Sequence, residues 1–127
     1  MKLSKRLQTR QLLSCLLIFL IAMTAPVQQA LATPSNPQVQ AGNADVTTGT
    51  TTTVDMITNK AVIDWDSLDT SASEILNFIR SNGGGNFAVL NRVLNGSATS
   101  FAGTLNAPLG HVFIINPKGL TLAPASF

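Results

Sequence analysis

Short apolar runs that alternate with period two, separated by Gly, Asn and Pro, constrain this chain more than any other feature. The runs are AVIDW (61–65), EILNFIR (74–80), FAVLNRVL (87–94), a weaker run at 101–105, and HVFII (111–115). β-Branched and aromatic residues at this period, bounded by turn residues, predict strands. FAVL and HVFII are apolar on both faces, which predicts strands of a parallel sheet that is buried on each side.

Parallel strands without helices between them leave few architectures. A β-helix stacks successive coils of one chain and needs no helix between its strands, so we predict an all-β fold of this kind. No fixed repeat period is visible, which is typical of the end of such a stack. One helical alternative competes with the strand predicted at EILNFIR: Ser71 and Glu74 fit a capping box that would begin a helix over 71–79.

Residues 1–32 have the order of a secretory signal peptide: a basic start, an apolar run and small residues. The apolar run is Leu12–Met23, and Ala30 and Ala32 occupy the small-residue positions of a cleavage site. The mature chain is therefore predicted to begin at Thr33. A membrane anchor is the alternative, but a helix of this run spans about 18 Å, less than the ~30 Å core of a bilayer.

Loss of this leader would change the balance of charge. The full chain has a net charge of +2. After residue 32 the basic residues are Lys60, Arg80, Arg92 and Lys118, and the acidic residues outnumber them. No basic patch then remains to bind nucleic acid or anionic lipid. The cysteine, Cys15, also leaves, so the mature chain has no disulfide, which suggests that it belongs to something larger.

Residues 33–54 are rich in Thr, Pro, Gln and Gly and include TTGTTTT at 47–53. Threonine favours strands, so we predict an extended lead-in here. Val54 and Ile57 are expected to begin the packed part, a domain over residues 55–127.

Five segments carry a resemblance to a known family. They are KAVIDWDSL (60–68), ILNFIR (75–80), VLNRVLNG (89–96), FAGTLNA (101–107) and HVFIINPKGL (111–120). In this order after a signal peptide, they resemble the N-terminal secretion domain of the filamentous haemagglutinin family, the exoproteins of two-partner secretion. The resemblance runs from about residue 35 to the end. It implies a right-handed parallel β-helix with an N-terminal cap, of which this chain holds only the first coils.

The resemblance also implies a function. Such domains direct the export of an adhesin- or haemagglutinin-like exoprotein through an outer-membrane transporter of the Omp85 type, which recognises them in the periplasm through POTRA domains. The signal peptide implies passage through the general secretion machinery, and the product is expected to be secreted or held at the cell surface. Family domains continue through further coils, so the chain is predicted to be a fragment or a truncated product.

The turn Asn116-Pro117-Lys118-Gly119 is the first candidate site. Asn, Pro and Gly at its first, second and fourth positions suit a type I turn. The family's usual turn is Asn-Pro-Asn-Gly, from which Lys118 departs. A structural corner of a coil and a surface recognised by the transporter are the two hypotheses, and the turn chemistry favours the first.

Asn91 and Arg92, which interrupt an apolar strand, are the second candidate site. Asn91 could lie in the interior of the β-helix or cap a coil, and Arg92 could pair with Glu74 or with an aspartate. A contact of either residue with the transporter is the alternative.

No catalytic, cofactor-binding or metal-binding residue is predicted. Asp64, Asp66 and Asp69 do not have the spacing of an EF-hand calcium loop. His111 is the only histidine, and no nucleophile or phosphate-loop motif is present. We therefore expect that the chain is not an enzyme. A β-helical polysaccharide-active enzyme fragment and a degenerate remnant without function are the alternatives to a targeting segment.

Overall fold

The computed structural model describes residues 32–124, all of which belong to the second of two units, Leu31–Phe127. These residues form strands and no helix, and therefore no helix that could cross a membrane. The strands are β1 (Gln38–Ala41), β2 (Ala44–Thr47), β3 (Thr51–Met56), β4 (Lys60–Trp65), β5 (Ile75–Ile79), β6 (Phe87–Val93), β7 (Thr99–Phe101), β8 (Thr104–Asn106), β9 (Gly110–Ile115) and β10 (Leu120–Leu122). The predicted all-β class is confirmed, and the helical alternative over 71–79 is wrong.

Three parallel sheets run along the stack. One contains β4, β6 and β9, the second β3, β5 and β8, and the third β7 and β10. An isolated parallel bridge from Thr70 to Phe101 extends the third sheet to the first coil. The chain visits the sheets in rotation, so β3–β4, β5–β7 and β8–β10 are three successive coils of a parallel β-helix, as predicted.

An antiparallel cap closes the first coil. β1 pairs with β4 and β2 pairs with β3, both antiparallel. Ahead of β1, Ser35 donates its N–H to the carbonyl of Ser67 at 2.9 Å and accepts the N–H of Asp66 at 3.1 Å. The segment expected to be an extended lead-in thus supplies the strands that cover the exposed edge of the first coil.

Side chains that alternate along each strand fill the interior. Leu76 and Phe78 are fully buried, as is Val54. The full set of buried apolar residues is Val54, Met56, Ala61, Ile63, Trp65, Leu68, Leu76, Phe78, Phe87, Val89, Val93 and Phe101. Ile57, expected to be packed with Val54, is instead 44% exposed, because β3 ends at Met56 and Ile57 lies in the turn that follows.

The expectation that both faces of the apolar strands are buried is wrong. Val112 and Ile114 of β9 face the interior, whereas Phe113 is 57% and Ile115 46% exposed. In a stack of coils one face of every sheet lines the core and the other is the outer wall. Apolar residues on the outer wall therefore remain accessible, although Leu90 in β6 is half-buried.

Coils of unequal length explain why no repeat period is visible. Thr51 pairs with Ile75, and Ile75 in turn pairs with Thr104, which is a longer step along the chain. Part of the extra length lies in the exposed loop between β5 and β6, where Gly83, Gly84 and Gly85 all have positive φ. The segment from β6 to β7 is also longer than the matching segment of the first coil, which runs from β4 to Thr70. Strand register is preserved because these differences in length fall between the strands.

Candidate functional site

The turn of residues 116–119 joins β9 to β10 and is closed by its own first residue. The carbonyl of Asn116 accepts the N–H of Gly119 at 3.0 Å, and Asn116 Oδ1 accepts the N–H of Lys118 at 2.9 Å. Gly119 has a φ of 109°, which L side chains rarely adopt. The space around its Cα is open, so the backbone conformation alone explains the glycine.

Asn116 also fastens the third coil to the second. Its Nδ2 donates to the carbonyl of Ser97 at 2.9 Å and to Thr99 Oγ1 at 2.8 Å. Thr99 in turn donates its N–H to the carbonyl of Gly119 at 3.0 Å. Both polar atoms of the Asn116 side chain are therefore used within the fold.

Pro117 and Lys118 form the exposed tip of the turn. In the part of the chain that the structure describes, no hydrogen bond or ion pair reaches the ammonium of Lys118. Within the described residues, the Lys118 side chain therefore makes no polar contact that holds the turn in place.

Asn91 lies inside the stack and connects all three coils. It is fully buried, its Oδ1 accepts the indole N–H of Trp65 at 2.9 Å, and its Nδ2 donates to the carbonyl of Phe113 at 3.3 Å. A buried amide needs such partners, because an unpaired polar group in the core is costly. The side chain is part of the core and does not reach the surface.

Arg92 points to the opposite face and pairs with the neighbouring coil. Its Nε and Nη2 donate to the two carboxylate oxygens of Asp64 at 2.6 and 3.0 Å. The two residues are register partners in adjacent strands. The hydrogen bond to Asp64 raises the pKa of Arg92. The partner is thus an aspartate and not Glu74.

The candidate residues therefore lie in two places: β6 holds Asn91 and Arg92, and the β9–β10 corner holds the turn.

Of the predicted cleavage site, Ala32 is exposed and Thr33 half-buried, while Ala30 lies outside the described residues. Asp66 accepts a hydrogen bond from Asn36 Nδ2 at 3.0 Å. Asp69 accepts one from the N–H of Ser100 at 2.8 Å.

A buried polar cluster around Glu74 is not among the sites predicted from the sequence. The carboxylate of Glu74 accepts hydrogen bonds from Thr33 and Ser71. The Ser-x-x-Glu spacing of residues 71–74 is the sequence pattern that indicates the contact between Ser71 and Glu74. The Ser71 N–H does bind the Glu74 side chain as in a capping box, but a strand follows the turn, not a helix.

The open face of the third coil holds an apolar cavity of about 310 Å³. Its lining residues are Phe101, Leu105, Val112, Ile114, Leu120 and Leu122. Every one is apolar, so no polar side chain of the lining can orient a small ligand.

Neither a family model nor a curated protein matches the chain. Among solved structures, the HMW1 secretion domain from Haemophilus influenzae matches it with a TM-score of 0.59 and 30% sequence identity. The match covers 71% of this chain and 23% of that one, so the chain spans about a quarter of its length. The resemblance predicted from the sequence is confirmed: in fold and in sequence the chain is similar to a bacterial secretion domain of the two-partner type.

Proposed function

We propose that this chain is the N-terminal targeting segment of a secreted adhesin- or haemagglutinin-like exoprotein, exported through an outer-membrane transporter of two-partner secretion. The similarity to the HMW1 secretion domain carries the proposal. The partner would be an Omp85-type transporter that binds the segment through periplasmic POTRA domains. The predicted signal peptide would bring the chain to the periplasm, and the exported product would be free or at the cell surface.

Two features of the described residues support this route. Their sequence contains no cysteine, so no disulfide can close a loop that would obstruct the passage of an extended chain. The outer surface also carries exposed apolar side chains such as Phe113, together with the ammonium of Lys118, which no residue within 32–124 binds. A partner could bind these groups.

A secretion assay tests the proposal. The full chain is followed by an epitope-tagged, cysteine-free passenger and produced in a Gram-negative host, with or without a two-partner-secretion transporter from the source organism. We expect the passenger in the medium only when the transporter is present, and loss of export when its POTRA domains are deleted. Retention in the periplasm under all conditions would refute the proposal and favour a remnant without function.

We also propose that the chain is not an enzyme. The fully buried amide of Asn91 is used within the fold, where it binds Trp65 and the carbonyl of Phe113. The apolar cavity of the third coil has no acid–base pair on its lining. We expect no turnover of acidic polysaccharides, measured as release of reducing ends or of unsaturated products. The control is a variant that carries both Asp64→Asn and Asp69→Asn. Activity of the wild-type chain above that of this control would overturn the proposal.

A further inference from the structure

A buried carboxylate without a cation lies at the corner before β5. Glu74 is 1% exposed. Its Oε1 accepts the hydroxyl of Thr33 at 2.5 Å, and its Oε2 accepts the N–H of Ser71 at 2.7 Å. Within residues 32–124 the ion pair formed is that of Arg92 with Asp64. Both donors are neutral, so within the described residues no cation faces this carboxylate, and a buried carboxylate that is ionised without a counter-ion is costly.

Thr33 is held beside this carboxylate by the segment that follows it. Pro34 is buried, and Ser35 is bonded through its backbone to Asp66 and Ser67 of the first coil. Thr33 is also the residue predicted to become the first of the mature chain, after cleavage that follows Ala32.

We propose that this cleavage creates the missing cation, and that the α-ammonium of Thr33 forms an ion pair with Glu74. The inference rests on cleavage between Ala32 and Thr33. Only Cα and Cβ separate the α-nitrogen of Thr33 from its own Oγ1, so the nitrogen lies within about 4 Å of Oγ1. Oγ1 is in turn 2.5 Å from Glu74 Oε1, which places the nitrogen about 6 Å from the carboxylate at most. An opposite charge within about 4–6 Å of a carboxylate favours the ionised forms of both groups. Before cleavage the same nitrogen belongs to a neutral amide.

Ser71 supplies a second, independent observation. Its Oγ is buried and has no hydrogen-bond partner among the described residues, although its N–H binds Glu74. An ammonium has three donors, whereas the amide of an uncleaved chain has one. Among residues 32–124, the corner therefore holds an acceptor without a donor and a carboxylate without a cation, and a new amino terminus would satisfy both.

Removal of the signal peptide would then strengthen the joint between the cap and the second coil. Glu74 directly precedes β5, the first strand of the second coil, and its carbonyl accepts the N–H of Thr104 in the third coil at 2.9 Å. A charge pair at this corner links the start of the mature chain to the stack. The folded state would be favoured more strongly in the exported form than in the precursor.

The pKa of the Thr33 α-amine tests the inference. The full chain is expressed in a Gram-negative host, the processed product is purified, and its N terminus is identified by mass spectrometry. The pH dependence of acetylation of the N-terminal peptide by acetic anhydride gives the amine pKa. Free α-amines titrate at about 7.7–8.0, and we expect a rise of one unit or more, which lowers the reactive fraction at pH 7 about tenfold.

Two variants and a denatured sample make the test specific. Glu74→Gln should restore ordinary reactivity, while Asp66→Asn, which removes another carboxylate bound to the lead-in, should leave the raised pKa in place. Urea should abolish the difference. If Glu74→Gln does not fold, the value in the folded wild-type protein decides alone. An ordinary α-amine pKa in that protein, or an N terminus other than Thr33, would overturn the proposal.

Discussion

The two ends of the described stack follow the same strand pattern but differ in burial. At the first coil, β1 and β2 cover the strands, and Val54 and Ile63 are fully buried. At the third coil, Leu120 and Leu122 are 42% and 44% exposed, and Val112 and Ile114 only partly buried. No strand covers β8, β9 or β10 within residues 32–124.

This difference shows that in a β-helix the core of a coil is completed by its neighbour. An inward-facing residue leaves water only when another layer lies over it. The apolar cavity beside Phe101 is the direct consequence at the third coil. The following variants test whether the capped and open ends differ in energy as they do in burial, and all stability measurements are made by urea unfolding of the processed chain at low protein concentration.

The largest difference is expected for leucines of the second and third coils. Leu76 is fully buried and Leu122 is 44% exposed. Leu76→Ala should lower the free energy of unfolding by about 2–5 kcal/mol, because it leaves a cavity. Leu122→Ala should lower it by less than about 1 kcal/mol, because little surface is removed from water. Equal losses would show that the open end is as well packed as the middle coil.

Asn91 tests the buried hydrogen bonds that join the three coils. Asn91→Ala leaves the indole N–H of Trp65 and the carbonyl of Phe113 without their partner, and we expect a loss of about 1–3 kcal/mol. In a double-mutant cycle with Trp65→Phe the losses should be far from additive. Additive losses would argue against the buried hydrogen bond between the two side chains.

The 116–119 turn tests the joint at the open end. Gly119→Val should cost about 1–2 kcal/mol, because its φ of 109° disfavours a side chain. Pro117→Ala should change the free energy of unfolding little, since type I turns accept many residues at that position.

Lys118→Glu should leave both stability and secretion unchanged if the turn is only structural. Unchanged stability with lost secretion and lost POTRA binding would identify Lys118 as a recognition residue.

Association should be confined to the open end. Uncovered strand edges and apolar core residues are templates for other chains, so we expect concentration-dependent association in sedimentation velocity. Leu122→Lys should weaken it about tenfold, or about 1.4 kcal/mol. Ile57→Lys is the matched control at the first coil, with the same 44% exposure, and should have no effect. A monodisperse wild-type monomer would contradict the comparison.

The smallest effect is expected from Asp55, which links the first coil to the second on the outer surface. The hydroxyl and the N–H of Ser81 bind its carboxylate and lower its pKa. Since the folded-state pKa is depressed, the stabilisation is present above the unfolded-state pKa and is lost as pH falls through the folded value. Ser81→Ala should raise the Asp55 pKa in an NMR titration; an unchanged titration would rule out this link.

The sequence alone determined the strands and much of the interior. Period-two alternation correctly placed Leu76 and Phe78 on one face, and the turn residues of 116–119 predicted a corner where one exists. These signals are local, because side-chain alternation and backbone conformation depend on neighbouring residues. The predicted secretion-domain resemblance rested on such segments taken in order.

Only the tertiary structure decided which apolar face is covered and what the isolated polar residues bind. Two contacts join residues that are far apart in the sequence: Arg92 with Asp64, and Glu74 with Thr33. The exposure of Phe113 depends on which face of its sheet lines the core. Unequal loops set which residues become neighbours between coils, and no local pattern encodes that register. Burial in a stacked fold is a property of adjacent coils, whereas alternation is a property of a single strand.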